Sequence, residues 1–484
     1  MKQKIALFAG LALLSLTTSG CSVNPATGQQ SFTGLMSEQQ ELKVGKDEHP
    51  KILAQFGGAY DHETVSRYID DLGQRLAKVS ELPDLKWTFT VLDDPIINAF
   101  ALPGGFVYIS RGLIGLAENE AELAAVLGHE IGHVTARHTA QRYSKAVLTG
   151  IGSTILGVVV GGPAGDLANY AGQAYLASYS RGHEMEADML GMRYMTRLGY
   201  DPKASASFFK KLAKHSELEA RMTGKEVEGH YSIFASHPDT KLRIVESEKI
   251  AKSYPADLTK TNRPTFLALI DGLDYGESVR QGIIKDRTFI HPGLRMEFSV
   301  PDNFAIANKP TYVAATHENG SAMVFSMGST KHGRLPMTRY ITEIWANKYT
   351  LRDLQPLTIN GLEAATAMVT IKNNNGVRDV RYLAIIDGDQ IFRFQFLTPP
   401  KLTDQMALPF RKTTYSFRRL STREASNIRG LHIDLHRVGR GDTLTGLAQR
   451  MKVEKLQEDW LKVLNMDTLS DGLQAGETVK LVTY

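Results

Sequence analysis

His129, Glu130 and His133 are the residues whose types and spacing point first to chemistry, in the segment His129-Glu130-Ile131-Gly132-His133. On a helix, histidines four positions apart share one face, which suits a tetrahedral zinc ion with nitrogen ligands at roughly 2.0–2.1 Å. Glu130 is then placed to act as a general base. The pattern should arise by chance roughly 0.02 times in such a chain. Two solvated histidines on an amphipathic helix are the alternative.

The surrounding residues predict that this segment is helical. Asn119 followed by Glu122 indicates an N-cap with its capping-box partner. Gly128 and Gly132 leave a bare strip on one face, where we expect close approach by a neighbouring element, because glycines inside a helix cost roughly 1 kcal/mol each. An acidic start and a basic end suit the helix dipole. These residues are Glu118, Glu120, Glu122, Arg137, Arg142 and Lys145.

A second helix, predicted from about Ala171 to Leu198, carries candidate carboxylates. Glu184 and Asp188 share a face, so one could bind zinc while the other orients a ligand histidine. Spacing alone does not choose between Glu184 and Glu186 as the metal ligand. A charged, solvent-exposed helix surface is the alternative.

The segment before the first helix predicts two strands joined by a Pro-Gly-Gly turn. Asn98, Ala99 and Phe100 begin the first of these strands. Its free edge could hold a peptide substrate through main-chain hydrogen bonds. Ordinary sheet structure is the alternative.

Four segments together carry a resemblance to a known family: NAFALPGG, HEIGH, SYSRGHEMEAD and Ser236-His237-Pro238. They resemble the gluzincin metallopeptidases of the HtpX and CAAX prenyl protease type 1 family, above all its periplasmic, BepA-like lipoprotein branch. In that family the Glu of S-R-x-x-E-x-x-A-D is the third zinc ligand, which implies Glu184 as ligand and Asp188 as the closing residue. The resemblance covers about residues 24–250 and implies one zinc ion per chain.

His237 precedes a short predicted helix, and the resemblance implies that it lies near the metal. Three roles are open for it. It could be a fourth ligand that keeps the enzyme latent, a donor to the oxyanion of the tetrahedral intermediate, or part of a helix cap. Arg243, one turn further on, could also face the cleft.

Residues 1–20 predict a secretory signal, with a basic start and an apolar run too short to span a membrane. Cys21 is the only cysteine in the chain, so no intramolecular disulfide can form. Its position resembles the lipobox of bacterial lipoproteins, and Ser22 after it implies anchoring in the outer membrane, facing the periplasm. An ordinary cleaved signal that leaves a free thiol is the alternative.

The 20 residues from Ala146 to Gly165 contain no charge. A membrane span is one interpretation, but the glycines and Pro163 favour an apolar hairpin over the cleft or against the membrane surface. The formal net charge of the whole chain is only +4, which gives no indication of nucleic-acid binding.

After about residue 255 the predicted secondary structure changes from mainly helical to mainly strand. Strand-like runs dominate residues 293–420, which weakly resemble the sheet-and-helix domains of the PsbP and Mog1 kind. Residues 430–484 resemble a LysM module, a βααβ unit that binds N-acetylglucosamine-containing glycans such as peptidoglycan. His436 stands where that module usually has an aromatic residue.

We therefore expect a multidomain α+β protein. Its predicted parts are a signal peptide (1–20), a mainly helical zinc metallopeptidase domain with a small sheet (21–255), a connector (256–292), a β-rich domain (293–420) and a LysM-like domain (430–484). The expected function is a zinc endopeptidase that degrades misfolded or stalled proteins of the cell envelope. An outer-membrane assembly chaperone and a peptidoglycan-binding scaffold are the alternatives.

Overall fold

A computed structural model describes residues 21–28, 30–33, 35–148, 179–223, 237, 240–331, 334–373 and 376–484. The chain forms two compact units: the first combines Met1–Gly276 with Leu431–Tyr484, and the second spans Glu277–Gly430. The predicted signal and most of the apolar run that begins at Ala146 lie outside the described residues. Within the described part, no helix is long and apolar enough to cross a membrane.

The first unit is mainly helical, and the chain as a whole is α+β. This agrees with the predicted fold class and with a helical N-terminal region. Up to residue 276 its elements are β1 (Cys21–Val23), β2 (Gln30–Phe32), α1 (Glu38–Gln55), α2 (Glu63–Lys78), β3 (Thr88–Leu92), β4 (Ala99–Leu102), β5 (Phe106–Ser110), α3 (Arg111–Leu116), α4 (Glu120–Thr135), α5 (His138–Leu148), α6 (Arg181–Arg197), α7 (Lys203–Thr223), α8 (Thr240–Ala251), α9 (Arg263–Ile270) and β6 (Asp274–Tyr275).

Strands β3, β4 and β5 form a small sheet beside α4. The central strand is β5, which pairs in parallel with β3 and antiparallel with β4. The turn from β4 to β5 requires glycine, because Gly104 and Gly105 have φ values of 81° and 88°. Strand β4 therefore lies at one edge of this sheet, and it packs against α4.

Helix α4 contains the HEIGH segment and begins where the sequence predicts. The side chain of Asn119 accepts a hydrogen bond from the amide of Glu122 at 3.0 Å. The predicted capping box is wrong, because the Glu122 carboxylate accepts from the amide of Glu118 instead. The helix also ends earlier than its basic residues suggest: Arg137 has a φ of 57°, and α5 begins at the next residue.

Helix α6 crosses α4 at the predicted bare strip. A Cβ atom at Gly128 would lie 2.9 Å from the carbonyl oxygen of Gly191, and one at Gly132 would lie 3.1 Å from that of Ala187. Real Cβ atoms rarely approach backbone so closely. The predicted close approach of a neighbouring element is therefore confirmed.

Helix α6 starts later than predicted. Ser180 has an extended backbone conformation, and its hydroxyl accepts a hydrogen bond from the amide of His183 at 3.3 Å, which caps the helix. The predicted start near Ala171 is wrong, because Tyr179 and Ser180 lie outside the helix. Tyr179 is consequently placed to reach across to α4.

The second unit is built around a seven-stranded antiparallel sheet, within the residues described for it. The elements of this unit are β7 (Ile283–Lys285), β8 (Thr288–His291), β9 (Met296–Ser299), β10 (Ala305–Lys309), β11 (Tyr312–Thr316), β12 (Ala322–Gly328), α10 (Met337–Arg339) with a π-helical extension (Tyr340–Trp345), β13 (Arg352–Ile359), β14 (Leu362–Asn373), β15 (Gly376–Asp387), β16 (Gln390–Thr398), a 3₁₀ turn (Pro400–Leu402), α11 (Thr403–Ser416), β17 (Arg418–Arg419) and α12 (Thr422–Asn427). The strand order of the large sheet is β10-β11-β12-β16-β15-β14-β13, and a smaller sheet has the order β17-β9-β8-β7. Phenylalanines such as Phe298, Phe394 and Phe396 fill the core of the unit.

The C-terminal segment returns to the first unit with the order β18 (Leu431–Arg437), α13 (Leu444–Arg450), α14 (Gln457–Leu464) and β19 (Thr478–Thr483). Strand β18 pairs antiparallel with both β19 and β6. The buried Nζ of Lys480 donates to the carbonyl oxygens of Gly115, Leu116 and Ala117 at 2.7–3.0 Å. These carbonyls end α3 just before the cap of α4, so the C-terminal segment supports the start of the HEIGH helix.

Candidate metal centre

Four buried side chains converge in the first unit: His129 and His133 from α4, Glu184 from α6, and His237 from the segment before α8. One donor atom from each lies within 4.8 Å of every other. His129 Nε2 is 3.0 Å from His133 Nε2 and 3.3 Å from His237 Nδ1. The structure thus brings together the three residues predicted as metal ligands and His237.

Asp188 holds His129 from behind the cluster. Its Oδ1 accepts the hydrogen of His129 Nδ1 at 2.7 Å, which turns Nε2 of that ring toward the other donors. Arg243 donates to both oxygens of Asp188 at 2.7 and 2.8 Å, and its Nη1 is 3.0 Å from Glu184 Oε2. Burial raises the pKa of Asp188, but the charge and hydrogen bonds of Arg243 outweigh burial and keep that carboxyl ionised.

Glu130 lies beside the cluster with one oxygen uncommitted. Its Oε1 is 3.6 Å from His237 Nε2, whereas Oε2 is buried and has no hydrogen-bond partner among the described residues. Burial raises the pKa of Glu130. A carboxylate with a raised proton affinity and a free oxygen suits the predicted role of general base.

Tyr179 and His138 also contact the cluster, although the sequence analysis did not assign them to it. The ring of Tyr179 stacks on His133 with centroids 3.9 Å apart. Nδ1 of His138 lies 2.8 Å from Nδ1 of His133, and its Nε2 lies 3.2 Å from Glu186 Oε2. Glu186 therefore stands on the outer side of His133, and Glu184 is the carboxylate within the cluster.

The local sequence pattern does not predict the contact between His138 and His133. On a continuous helix, residues five positions apart face different directions, so His138 would point away from His133. The break at Arg137 removes that constraint, since its left-handed backbone turns α5 back toward the cluster. This conformation is held by tertiary contacts, because Arg137 donates to the Met36 carbonyl at 2.9 Å and pairs with Glu41.

The predicted substrate strand is β4 with the residue that precedes it. Asn98 Oδ1 is buried and lacks a hydrogen-bond partner among the described residues. Ala99 is buried, and the Phe100 ring stacks on Tyr108 with centroids 4.9 Å apart. Phe100 is thus committed to its own core, so a substrate would meet this strand through its main chain.

Comparison with known proteins identifies the domain that holds this cluster. Residues 63–251 match the model of peptidase family M48. The chain carries an M48 peptidase domain. Over 226 residues it is 33% identical to the putative beta-barrel assembly-enhancing protease of Vibrio cholerae, covering 45% of either chain.

Two further relatives have related names. The mitochondrial metalloendopeptidase OMA1 of Schizosaccharomyces pombe is 30% identical over 231 residues, which is 46% of this chain and 65% of that one. The beta-barrel assembly-enhancing protease of Escherichia coli is 28% identical over 262 residues, 52% of either chain. The chain therefore spans about half the length of these bacterial relatives. Among solved structures, PsbP of Synechocystis is 13% identical with a TM-score of 0.24, over 30% of this chain and 98% of that one.

The donor set of the M48 domain fits a zinc ion. Ligands at 2.0–2.1 Å in a tetrahedral arrangement lie about 3.3–3.4 Å apart. Oxygens of Glu184 lie 3.6 Å from His129 Nε2, 3.5 Å from His133 Nε2 and 3.0 Å from His237 Nδ1. Burial opposes ionisation of Glu184, but the charge of His237 and hydrogen bonds from both His133 and His237 bring its pKa well below the usual range. Two imidazoles and an ionised carboxylate are an ordinary zinc-binding set.

Proposed function

We propose that this chain is a zinc-dependent endopeptidase of the bacterial cell envelope. The observation that carries the proposal is the position of Glu130 beside His129, His133 and Glu184 in an M48 domain, with a buried oxygen that has no hydrogen-bond partner among the described residues. The bacterial relatives are named as proteases that enhance β-barrel assembly. These names refer to β-barrel assembly, and the proposed substrates are misfolded or stalled proteins of the envelope.

His129, His133 and Glu184 would hold the zinc ion, which when bound polarises a peptide carbonyl and lowers the pKa of water. Glu130 takes a proton from the attacking water and later passes it to the leaving amine. Asp188 keeps His129 in the tautomer that aims Nε2 inward. Because Asp188 holds His129 and Arg243 holds Glu184, the ligand set is preorganised.

The edge strand β4 is proposed to hold the substrate main chain. Its position at the edge of the small sheet and its packing on α4 support this role. The Oδ1 of Asn98, just before this strand, is buried and has no hydrogen-bond partner among the described residues. Main-chain pairing needs little sequence preference, which suits an enzyme that cleaves many misfolded proteins.

His237 is proposed to keep the enzyme latent as a fourth ligand. Its Nδ1 is 3.0 Å from Glu184 Oε2 and 3.3 Å from His129 Nε2, so it shares the point on which the three other ligands converge. Donation to an oxyanion is the second role, and it would require His237 to leave this position. Part of a helix cap is the third, and the neighbouring Ser236 and Pro238 lie outside the described residues.

Substituting His237 by alanine separates these roles. Increased proteolysis or self-cleavage would support latency, because the blocked position would become open to water. A slower reaction, with an activation free energy higher by about 2.7–4 kcal/mol, would indicate an oxyanion donor. An unchanged rate with a lower melting temperature would leave only the structural role.

The chain is further proposed to be a periplasmic lipoprotein anchored in the outer membrane through Cys21. The sequence around Cys21 supports this, and the backbone of Cys21 begins strand β1. Cys21→Ser should move the protein from the membrane fraction to the soluble fraction. Retention of the variant in membranes that have been washed with high salt would contradict a lipid anchor.

Residues 21–255 and 293–420 are proposed as the peptidase domain and a β-rich domain of open role. The LysM-like domain at 430–484 is proposed to bind peptidoglycan, and its βααβ order supports this. His436 pairs with Asp442 at 2.7 Å in place of the usual aromatic residue. Retention of the intact chain on purified peptidoglycan, with release by soluble N-acetylglucosamine oligomers, is the expected result. Retention that these oligomers do not affect would contradict glycan recognition.

An assembly chaperone is the second candidate function, supported by the word assembly in the names of the relatives. Two measurements on the same purified chain decide between the candidates. Cleavage of casein that is lost on chelation and regained with one zinc ion per chain supports the peptidase. Suppression of aggregation by zinc-free protein, without cleavage under any condition, supports the chaperone.

A further inference from the structure

A row of hydrogen-bonded side chains extends outward from the Nδ1 edge of His133. His138 Nδ1 lies 2.8 Å from His133 Nδ1, and His138 Nε2 lies 3.2 Å from Glu186 Oε2. The side-chain amide of Asn24 donates to the other oxygen of Glu186 at 2.8 Å. We call His138, Glu186 and Asn24 the outer network. His138 and Asn24 are buried and Glu186 is half-buried, so these hydrogen bonds are largely shielded from water.

The hydrogens of the outer network can be placed from its acidic end. An ionised carboxylate only accepts hydrogen bonds, so His138 Nε2 must donate to Glu186. In a neutral imidazole the other nitrogen is then an acceptor, so His138 Nδ1 accepts from His133 Nδ1. His133 therefore carries its hydrogen on Nδ1 and presents the lone pair of Nε2, the atom that lies 3.5 Å from Glu184 Oε1.

A metal ion that bridges the two Nδ1 atoms is the competing interpretation, and the geometry does not favour it. Two ligand atoms of a tetrahedral zinc ion lie about 3.3–3.4 Å apart. The Nδ1 atoms of His133 and His138 are 2.8 Å apart, which is within the usual range of hydrogen bonds. His138 also cannot share the zinc ion that Nε2 of His133 would bind, because it lies at a different edge of that ring.

The outer network supplies what ring stacking alone does not. Tyr179 stacks on His133 with ring planes 15° apart, which fixes the plane of the imidazole. A half-turn about the bond to the ring keeps that plane but moves both nitrogens to the other edge. The hydrogen bond to His138 distinguishes the two orientations, because only one of them places Nδ1 against His138. Asp188 gives His129 the same kind of support.

We propose that His138 and Glu186 are positioning residues that hold His133 in the tautomer and orientation with which it binds zinc, and that Asn24 orders Glu186. The inference deepens the proposed peptidase function, on which it rests, because it concerns the support of a zinc ligand. Asn24 lies three residues after Cys21. The segment that follows the predicted lipidation site would thus contribute to the metal centre.

Substituting His138 tests its hydrogen bond to His133. His138→Leu removes the acceptor and should weaken zinc binding by roughly 10- to 100-fold, as measured by competition with a chromophoric chelator. His138→Asn provides an acceptor oxygen that is bonded to Cγ, as Nδ1 is, and should recover most of the affinity. A role in packing alone would not be restored by asparagine, which is smaller and more polar than histidine.

Cobalt in place of zinc gives a second readout, because its visible absorption depends on the geometry of its ligands. The spectrum of cobalt-loaded His138→Asn should match that of the parent, whereas the spectrum of His138→Leu should differ. His183→Phe is the matched control. The His183 ring stacks on His138 with centroids 4.3 Å apart, and its Nδ1 has no hydrogen-bond partner among the described residues. Phenylalanine keeps the stacked ring, so the control should keep the parent's zinc affinity and spectrum.

The other members of the outer network should have smaller effects, in the order of their distance from His133. Glu186→Ala should lower the zinc affinity by less than His138→Leu does and should still hold one zinc ion per chain at saturating metal, because His138 remains as an acceptor. Glu186→Gln, whose amide oxygen can still accept, should lie closer to the parent. Asn24→Ala should change the affinity least.

Two results would overturn the inference. If His138→Leu keeps the parent's zinc affinity and cobalt spectrum, His138 does not position His133. If the leucine and asparagine variants lose affinity equally, His138 contributes packing and no oriented hydrogen bond. Neither measurement depends on cleavage. The expected affinities in a protein whose zinc-loaded parent does not cleave casein would refute the peptidase function and keep the positioning role, whereas casein cleavage by the parent with an unchanged affinity of His138→Leu would do the reverse.

Discussion

Substituting Gly191 by alanine tests whether the contact between α4 and α6 sets the geometry of the metal ligands. The added Cβ atom would lie 2.6 Å from the backbone nitrogen of His129 and 2.9 Å from the carbonyl carbon of Gly128. Atoms in ordinary contact are about 3.5 Å apart, so α6 would have to move by roughly 0.6–0.9 Å. That movement separates Glu184 from the two histidines of α4.

The expected energies have opposite signs. Overpacking at a backbone contact costs about 1–3 kcal/mol, whereas alanine in place of glycine stabilises a helix by about 1 kcal/mol. We therefore expect a net loss of up to about 2 kcal/mol in the free energy of unfolding. Displaced ligands should weaken zinc binding by roughly 10- to 100-fold, which is the effect of removing a residue that hydrogen-bonds a metal ligand.

Zinc affinity by competition with a chromophoric chelator, together with thermal melting, measures both effects. Gly182→Ala is the matched control on the same helix, because its Cβ would lie 3.9 Å from the nearest atom, the hydroxyl oxygen of Ser180. The control should keep the zinc affinity of the parent. A Gly191→Ala protein with the parent's zinc affinity and melting temperature would refute the reasoning.

Other substitutions test the ligand set and its support. Glu184→Ala should abolish zinc binding, whereas Glu186→Ala should leave zinc bound, as metal analysis of the purified variants would show. The reverse result would mean that the ligand is placed wrongly. Asp188→Ala should weaken zinc binding by roughly 10- to 100-fold in the same assay, because His129 loses its outer partner. Lys480→Met should lower the free energy of unfolding by about 3 kcal/mol or more, since three buried carbonyls lose their hydrogen-bond donor. A denaturant midpoint equal to the parent's would show that Lys480 does not stabilise the end of α3.

The sequence predicts the HEIGH helix well because its signals are local. The Asn119 cap lies three residues from its partner amide, and the bare strip follows from Gly128 and Gly132 within one turn. The partner helix that fills the strip is also predicted, although its start is not. Ser180 caps that helix locally, but Ser, Arg, Gly and His at positions 180–183 do not by themselves predict the end of a helix.

The sequence does not reveal environments that distant parts of the chain set. It predicts Glu118, Glu120 and Glu122 as the acidic start of the helix, but it does not show that all three are buried. Glu122 accepts from the ammonium of Lys211 at 2.7 Å, and Glu118 accepts from the amide of Thr468 at 3.1 Å. Partners so far along the chain leave no trace in the local pattern.

The site residues divide in the same way, into those fixed by local spacing and those whose position depends on distant parts of the chain. His129, Glu130 and His133 are fixed by spacing on one helix, whereas the choice of Glu184 over Glu186 required a resemblance to known sequences. Tyr179 reaches His133 only because α6 begins after it. No periodicity within a single element indicates such a contact.

The measurement that tests the central claim most directly is the activity of the Glu130→Gln variant with its zinc content determined on the same sample. Glutamine keeps the shape of the side chain and leaves the three ligands untouched, so the variant should bind one zinc ion per chain. Casein cleavage should fall by roughly 10²- to 10⁴-fold or more, because the base is lost. Glu217→Gln, an exposed carboxylate on α7, should cleave like the parent. Equal cleavage by Glu130→Gln and the parent, with zinc bound in both, would contradict the account.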